Sequence, residues 1–139
     1  YRMCKQISKW QRKSFSNLIK NGQFEITEGQ SKAPNFVSFS CGRDFEEQVL
    51  SILSLIHWVG RPQSWTIYSD GSHSEQQIQI LSSLGSFIRV KLWNTNILSL
   101  FDYKKCLTEY ASQHAMGKRI CAYSTHIIDC PTIFLDSDV

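Results

Sequence analysis

The apolar and polar positions of this chain switch repeatedly between a two-residue and a helical period. Asn35 to Ser40 is a short, apolar, β-prone run, and Cys41-Gly42-Arg43 is its turn. Asp44, with Glu47 three residues later, predicts an N-cap and its reciprocal partner. From there Phe45, Val49, Ile52, Leu53, Ile56 and Val59 recur at helical spacing and make one apolar stripe, which Gly60 and Pro62 end.

The unit then repeats. Trp65 to Ser69 reads as a second strand with Asp70-Gly71 as its turn, and Ser72 to Glu75 reads as a capping box. A helix through Ile78, Leu81 and Leu84 leads to Gly85. Phe87 to Trp93 predicts a third strand, with Ile88, Val90 and Leu92 alternating against Arg89 and Lys91. Residues 97–116 predict a looser helix. Lys118 to Asp129 predicts another, with Ile120, Cys121, Ser124, Ile127 and Ile128 facing inward. Thr132 to Leu135 is a final strand running into Asp136-Ser137-Asp138.

Strands that alternate with helices imply an α/β fold: a three-layer α/β/α sandwich around a mainly parallel sheet. Ligands of such sheets gather at the carboxyl ends of the strands. Three strand ends carry polar groups suited to that place: Ser40-Cys41, Ser69-Asp70-Gly71 and Asp136-Ser137-Asp138.

Composition narrows the class. A chain of 139 residues, 42% hydrophobic and 19% charged, is long enough for one core and is neither disordered nor fibrous in character. Its net charge of +3 is unevenly placed. Residues 1–35 carry seven Lys or Arg against Glu25 and Glu28, whereas the remainder is slightly acidic. This basic leader, with a linker from Gly29 to Pro34, precedes the globular part at 36–139. It is read as a solvated helix with Trp10, Phe15, Leu18 and Ile19 packed on neighbours. The alternatives are contact with an anionic membrane surface, as a peripheral attachment, or with nucleic acid, which is not expected.

Five cysteines without C-x-x-C spacing argue against a zinc ribbon or a disulfide scaffold. Reduced, buried thiols and a cytoplasmic location are expected instead. The most apolar run, Val49 to Val59, is too short to span a bilayer. The chain opens on Tyr1 and stops on Val139 just after a strand-like run. It is therefore read as a piece of a longer protein, marginal as a folded unit because an apolar edge would lie exposed.

The chemistry-bearing feature is Asp136-Ser137-Asp138. Alternate residues of a strand share a face, so the two carboxylates project together and repel until a cation joins them. Mg²⁺ and Mn²⁺ suit such a pair and complete their shells with water and phosphate oxygens. The plainer reading is an acidic turn. Asp70-Gly71-Ser72 is likewise an ordinary turn in its plain reading, but a cap made by Ser72 and Glu75 would leave Asp70 without a structural task. Lys118 and Arg119 are surface charges or phosphate partners. The four histidines show no ligand spacing, and no G-x-S-x-G or Walker pattern occurs.

With these motifs in order, residues 36–139 resemble the GT-A glycosyltransferases of the family 2-like and family 8-like groups. The resemblance is carried by Phe36 to Cys41, by Tyr68-Ser69-Asp70-Gly71-Ser72, and by Ile133 to Val139. It implies transfer of a sugar from a nucleotide-diphosphate donor to an unspecified acceptor, with Mn²⁺ or Mg²⁺. It further implies that Asp70 meets the base or ribose and that Phe39, Ser40 and Cys41 line the base pocket. Asp136 and Asp138 would bind ribose and metal, Asp138 being the surer ligand, and Lys118 would meet the diphosphate or sugar. The catalytic base is expected downstream of the metal motif, so these residues alone should not turn over.

Three rivals share part of the pattern. A metal-dependent nucleotidyltransferase needs a glycine-rich basic loop after the first strand, but Ser40 to Asp44 has one glycine and leads into Glu46 and Glu47. A haloacid-dehalogenase-type phosphatase places Asp-x-Asp after its first core strand, not its last. A non-catalytic GT-A-like module that binds a nucleotide sugar or a protein stays open.

Overall fold

In this computed structural model, residues 14, 17, 18, 34–94, 96–101 and 104–137 are described. Four strands form one parallel sheet: β1 (Asn35–Ser40), β2 (Trp65–Ser69), β3 (Ile88–Leu92) and β4 (Thr132–Asp136). Their spatial order is β3-β2-β1-β4. The helices are α1 (Phe45–Val59), α2 (Glu75–Ser83), α3 (Asn96–Ser99), α4 (Lys105–Gln113) and α5 (Ala115–Ser124). The first two connections step from β1 outward to β3, and the third returns across the sheet to β4. If all crossovers keep one hand, a reversal of direction requires a change of face. The packing agrees. Phe45, Val49 and Ile52 of α1 and Leu81 of α2 bury against Phe36, Trp65, Ile67 and Ile88 on one face. Ala122 and Tyr123 of α5 pack with Val37, Phe39, Tyr68 and Phe134 on the other.

β1 and β2 run as the sequence predicts. So does α1, which Gly60 ends with a positive φ of 93°. Val59 is exposed, however, and so is His57, whose ring stands against that of Trp58. Asp44 makes no side-chain cap. Its carboxylate instead accepts from Cys41 Sγ and Arg43 Nε, and a single 3₁₀ turn (Gly42–Asp44) leads into α1. The capping box of α2 lies two residues beyond the predicted place: Ser74 Oγ accepts from Gln77 N–H, and Gln77 Oε1 accepts from Ser74 N–H.

The return crossover departs furthest from expectation. The helix predicted over 97–116 is broken, because turns Phe101 N–H to Leu98 O and Lys104 N–H to Phe101 O fold Phe101 inward against Ala111 and Cys121. The helix predicted from Lys118 starts earlier, at Ala115, after an extended His114, and ends at Ser124. Of the residues predicted to face inward, only Cys121 is buried. Ile127 and Ile128 lie beyond the helix, 85% and 61% exposed. A small-residue contact sets this geometry: a Cβ on Gly117 would stand 2.6 Å from the backbone of Ala111, so α4 and α5 meet almost backbone to backbone. β3 is one residue shorter at each end than predicted. Leu92 is exposed because β3, among the described residues, is an edge strand paired to β2 alone.

Among the described cysteines only Cys121 is buried. Cys41 and Cys130 are half-buried, and Cys106 is exposed. The expectation of buried thiols therefore fails for most of them, since these cysteines sit at strand ends and on an outer helix face. Leu18, expected to be packed, is exposed, and the rest of the leader's apolar set lies outside the described residues. No helix of the described residues is long and apolar enough to cross a membrane.

Candidate functional site

Strand order decides which strand ends meet. With β1 between β2 and β4, the three polar ends singled out in the sequence are neighbours along one carboxyl edge. Chain direction across the sheet reverses between β1 and β4, and crevices open at such a point. Register refines the picture. Asp136 is the partner of Phe39, so it shares the α5 face. Ser40 is the partner of Ser69, and both lie on the α1 and α2 face.

The loops after β1 and β2 are tied together. Asp70 Oδ1 accepts both the N–H and the hydroxyl of Ser72, at 2.9 and 2.6 Å. Ser72 Oγ accepts from Gly42 N–H at 2.8 Å, and Gly42 O accepts from Gln77 Nε2 at 3.1 Å. Asp70 thus has a structural task after all, as the anchor of an Asx-type turn. Its Oδ2 bonds no group among the described residues. Gly42 is required by the closeness of the loops, because a Cβ there would stand 2.5 Å from Ser72 O. Gly71 carries the turn at φ 94°.

Beneath Asp70 lies a feature that motif reading missed. The Ser69 hydroxyl accepts from Gly71 N–H at 3.2 Å and lies 2.8 Å from His73 Nδ1. The imidazole tautomer sets which of the two donates, and His73 Nε2 is buried with no hydrogen-bond partner among the described residues. Burial pushes the His73 pKa down, against the opposing pull of Asp70 and Asp44. Its one sequence signal was a histidine four residues past a strand-end serine.

Ser40 is fully buried, and its hydroxyl has only a long contact to its neighbour's carbonyl. Cys41 is the more open residue of the pair. Burial and then Asp44 push its thiol pKa up, away from the reactive thiolate. Burial alone would raise the Asp44 pKa, but the Cys41 and Arg43 hydrogen bonds and the charges of Arg43 and Arg119 outweigh it and leave the carboxyl below its ordinary value.

At the β4 end, both oxygens of Asp136 are engaged. Oδ1 accepts from Ser137 N–H at 2.8 Å, and Oδ2 accepts from Arg119 Nη1 of α5 in an ion pair. Arg119 Nε is buried without a partner. Lys118, favoured in the sequence, stands fourth in α5 rather than at its start; it is Arg119 that reaches the edge. Tyr123, one turn on, donates to Leu135 O at 2.7 Å, and burial pushes its pKa up to about 12. That bond holds α5 against β4.

Asp138 lies outside the described residues, so the paired carboxylates are not placed together. Among the described residues no group of three or more His, Cys, Asp or Glu could hold a metal ion. The donor set in view is one carboxylate beside a guanidinium. A divalent cation would fit there only with Asp138, the oxygens of a bound phosphate and a displaced Arg119. The chain matches no protein-family model, no curated protein and no solved structure among those compared.

Proposed function

We propose that this chain is the donor-binding part of a GT-A-type glycosyltransferase, taking a nucleotide-diphosphate sugar with Mn²⁺ or Mg²⁺ and serving its transfer to an acceptor. One observation carries the reading: strand order β3-β2-β1-β4 sets Asp70, the Cys41–Asp44 turn and Asp136 along one carboxyl edge, at the point where chain direction reverses. In this reading Asp70 Oδ2 accepts from the base or ribose. Asp138, with Asp136, supplies carboxylates to the cation. Arg119, rather than Lys118, gives its charge to the diphosphate, where it would stabilise the leaving group.

The test is calorimetry of nucleoside diphosphates with and without Mn²⁺. Metal-dependent binding is expected, weakened at least about tenfold by Asp138→Ala, the loss of one charge-assisted contact. Unchanged affinity in that variant would sink the metal clamp. Arg119 on Asp136 favours a second reading, a non-catalytic module that binds nucleotide without metal. Arg119→Ala separates the two: Mn²⁺ alone should bind the variant more tightly if Asp136 is a ligand, and no differently if it is not.

A further inference from the structure

Buried polar side chains in folded proteins are bonded almost without exception. Six buried side-chain atoms among the described residues have no partner, and three of them lie within one turn of α1: Nε2 and Oε1 of Gln48 and Oγ of Ser51. The other three are single atoms of Asn35, His73 and Arg119, on separate elements. Gln48 is 0% exposed and Ser51 4%, beside the apolar stripe of Phe45, Val49 and Ile52. Three residues apart on a helix, their Cβ atoms stand about 5–6 Å from each other on one flank.

Other helical hydroxyls of the chain supply an independent observation. Ser83, Thr108, Ser112 and Thr125, none of them buried, return theirs to a carbonyl three or four residues back, at 2.7 to 3.1 Å. Ser51 has more to gain from that bond, because it is shut off from bulk solvent, yet it does not make it. Its hydroxyl is left for a partner on the Gln48 side of the helix.

The chemistry of the pair selects that partner. An amide and a hydroxyl both donate and accept, so the partner must do both. Neither carries a full charge, and an ion there would be buried without a counter-charge. Zero exposure leaves no approach for a larger ligand. Three unpaired atoms match the roughly three hydrogen bonds of a typical buried water.

We infer that Gln48 and Ser51 hold one buried water molecule, which bridges the amide to the hydroxyl and completes the packing of α1. The site is independent of the proposed nucleotide reading.

The test is water-selective NOE spectroscopy of the whole chain labelled with ¹⁵N. A cross-peak with the sign of a long-lived bound water is expected at the Gln48 side-chain amide. It should persist in Ser51→Ala, where no exchanging hydroxyl can relay it. Loss of side-chain partners is then read by urea unfolding. Gln48→Met keeps the length of the side chain and removes its polar atoms, so the unfolding constant should rise about fivefold or more. Ser51→Ala should raise it less, and the double variant should fall short of the product of the two, since both changes release the same water. No water cross-peak at Gln48 in either protein would overturn the inference, and that measurement stands even if Gln48→Met does not fold. Unchanged or greater stability of Gln48→Met would overturn it too, because a dry, unpaired amide gains by becoming apolar. So would strictly multiplicative effects of the two substitutions.

Discussion

The sheet face under α1 and α2 is filled by large side chains: Ile52, Trp65, Ile67 and Leu81 are all completely buried. The face under α5 is closed by small residues and aromatic rings, with Gly117 against Ala111, Ala122 on Phe39 and Tyr68, and Tyr123 on Phe134. Burying large aliphatics stabilises by area, at about 25 cal/mol per Å², and tolerates modest changes in spacing. Closing a face with small residues depends on backbone approach, where one added methyl collides. The first mode leaves a strong periodic trace in sequence and the second leaves almost none. That is why α1 and α2 were foreseen closely and the α3–α5 crossover was not.

This contrast can be broken at Trp65, Gly117, Gly42 and His73, from the largest expected effect to the smallest, with Ile128 as the exposed control. Trp65→Ala should be the most damaging. It empties a wholly buried site and strips Ser38 Oγ of the indole N–H donor at 3.0 Å, with an expected loss of about 3–5 kcal/mol in urea unfolding. Ile128→Ala, by contrast, should stay within about 0.5 kcal/mol, because that side chain is exposed rather than inward-facing.

Gly117→Val should cost about 1–3 kcal/mol by prying α4 from α5. Hydrogen exchange should then rise in α4 and α5 while β1, β2 and α1 stay protected. Uniform loss of protection would mean that the two faces are not separable units. Gly42→Ala strikes the site rather than the core. Its methyl group collides with Ser72 O, so about 1–2 kcal/mol should be lost, and the proposed nucleotide binding should weaken with the displacement of Asp70.

The smallest effect concerns pH. Burial depresses the pKa of His73, and burial with Lys91 depresses that of His126, below the ordinary value near 6.5. The unfolded chain therefore takes up protons first. Stability contributed by the neutral rings is complete above about 6.5 and declines as the pH falls toward the folded-state values, by at most about 1.4 kcal/mol per pH unit for each histidine. His73→Asn should flatten the slope of urea midpoint against pH between 7 and 5. An unchanged slope would show that His73 does not titrate on unfolding.

Much of the candidate site was legible because strand ends in a parallel sheet are predictable places. Asp70 and Asp136 were found through the turns that follow alternating apolar runs. Three parts were not legible. Arg119 was read together with Lys118, and only the start of α5 at Ala115 decided which of the two reaches Asp136. Asp70 was judged idle because the cap was placed on Ser72 rather than Ser74, a two-residue shift settled by Gln77. The Ser69–His73 pair joins residues whose chemistry appears only once a turn folds one over the other.

By itself the sequence determined the alternation of strands and helices, the apolar stripe of α1 and the polar strand ends, since each rests on local periodicity and turn chemistry. Only the tertiary structure decided that β4 returns to lie beside β1, that Asp136 is held by Arg119, and that α4 and α5 touch through Gly117. These are contacts between segments far apart in the chain. They are set by packing volume and backbone approach, which no local pattern encodes.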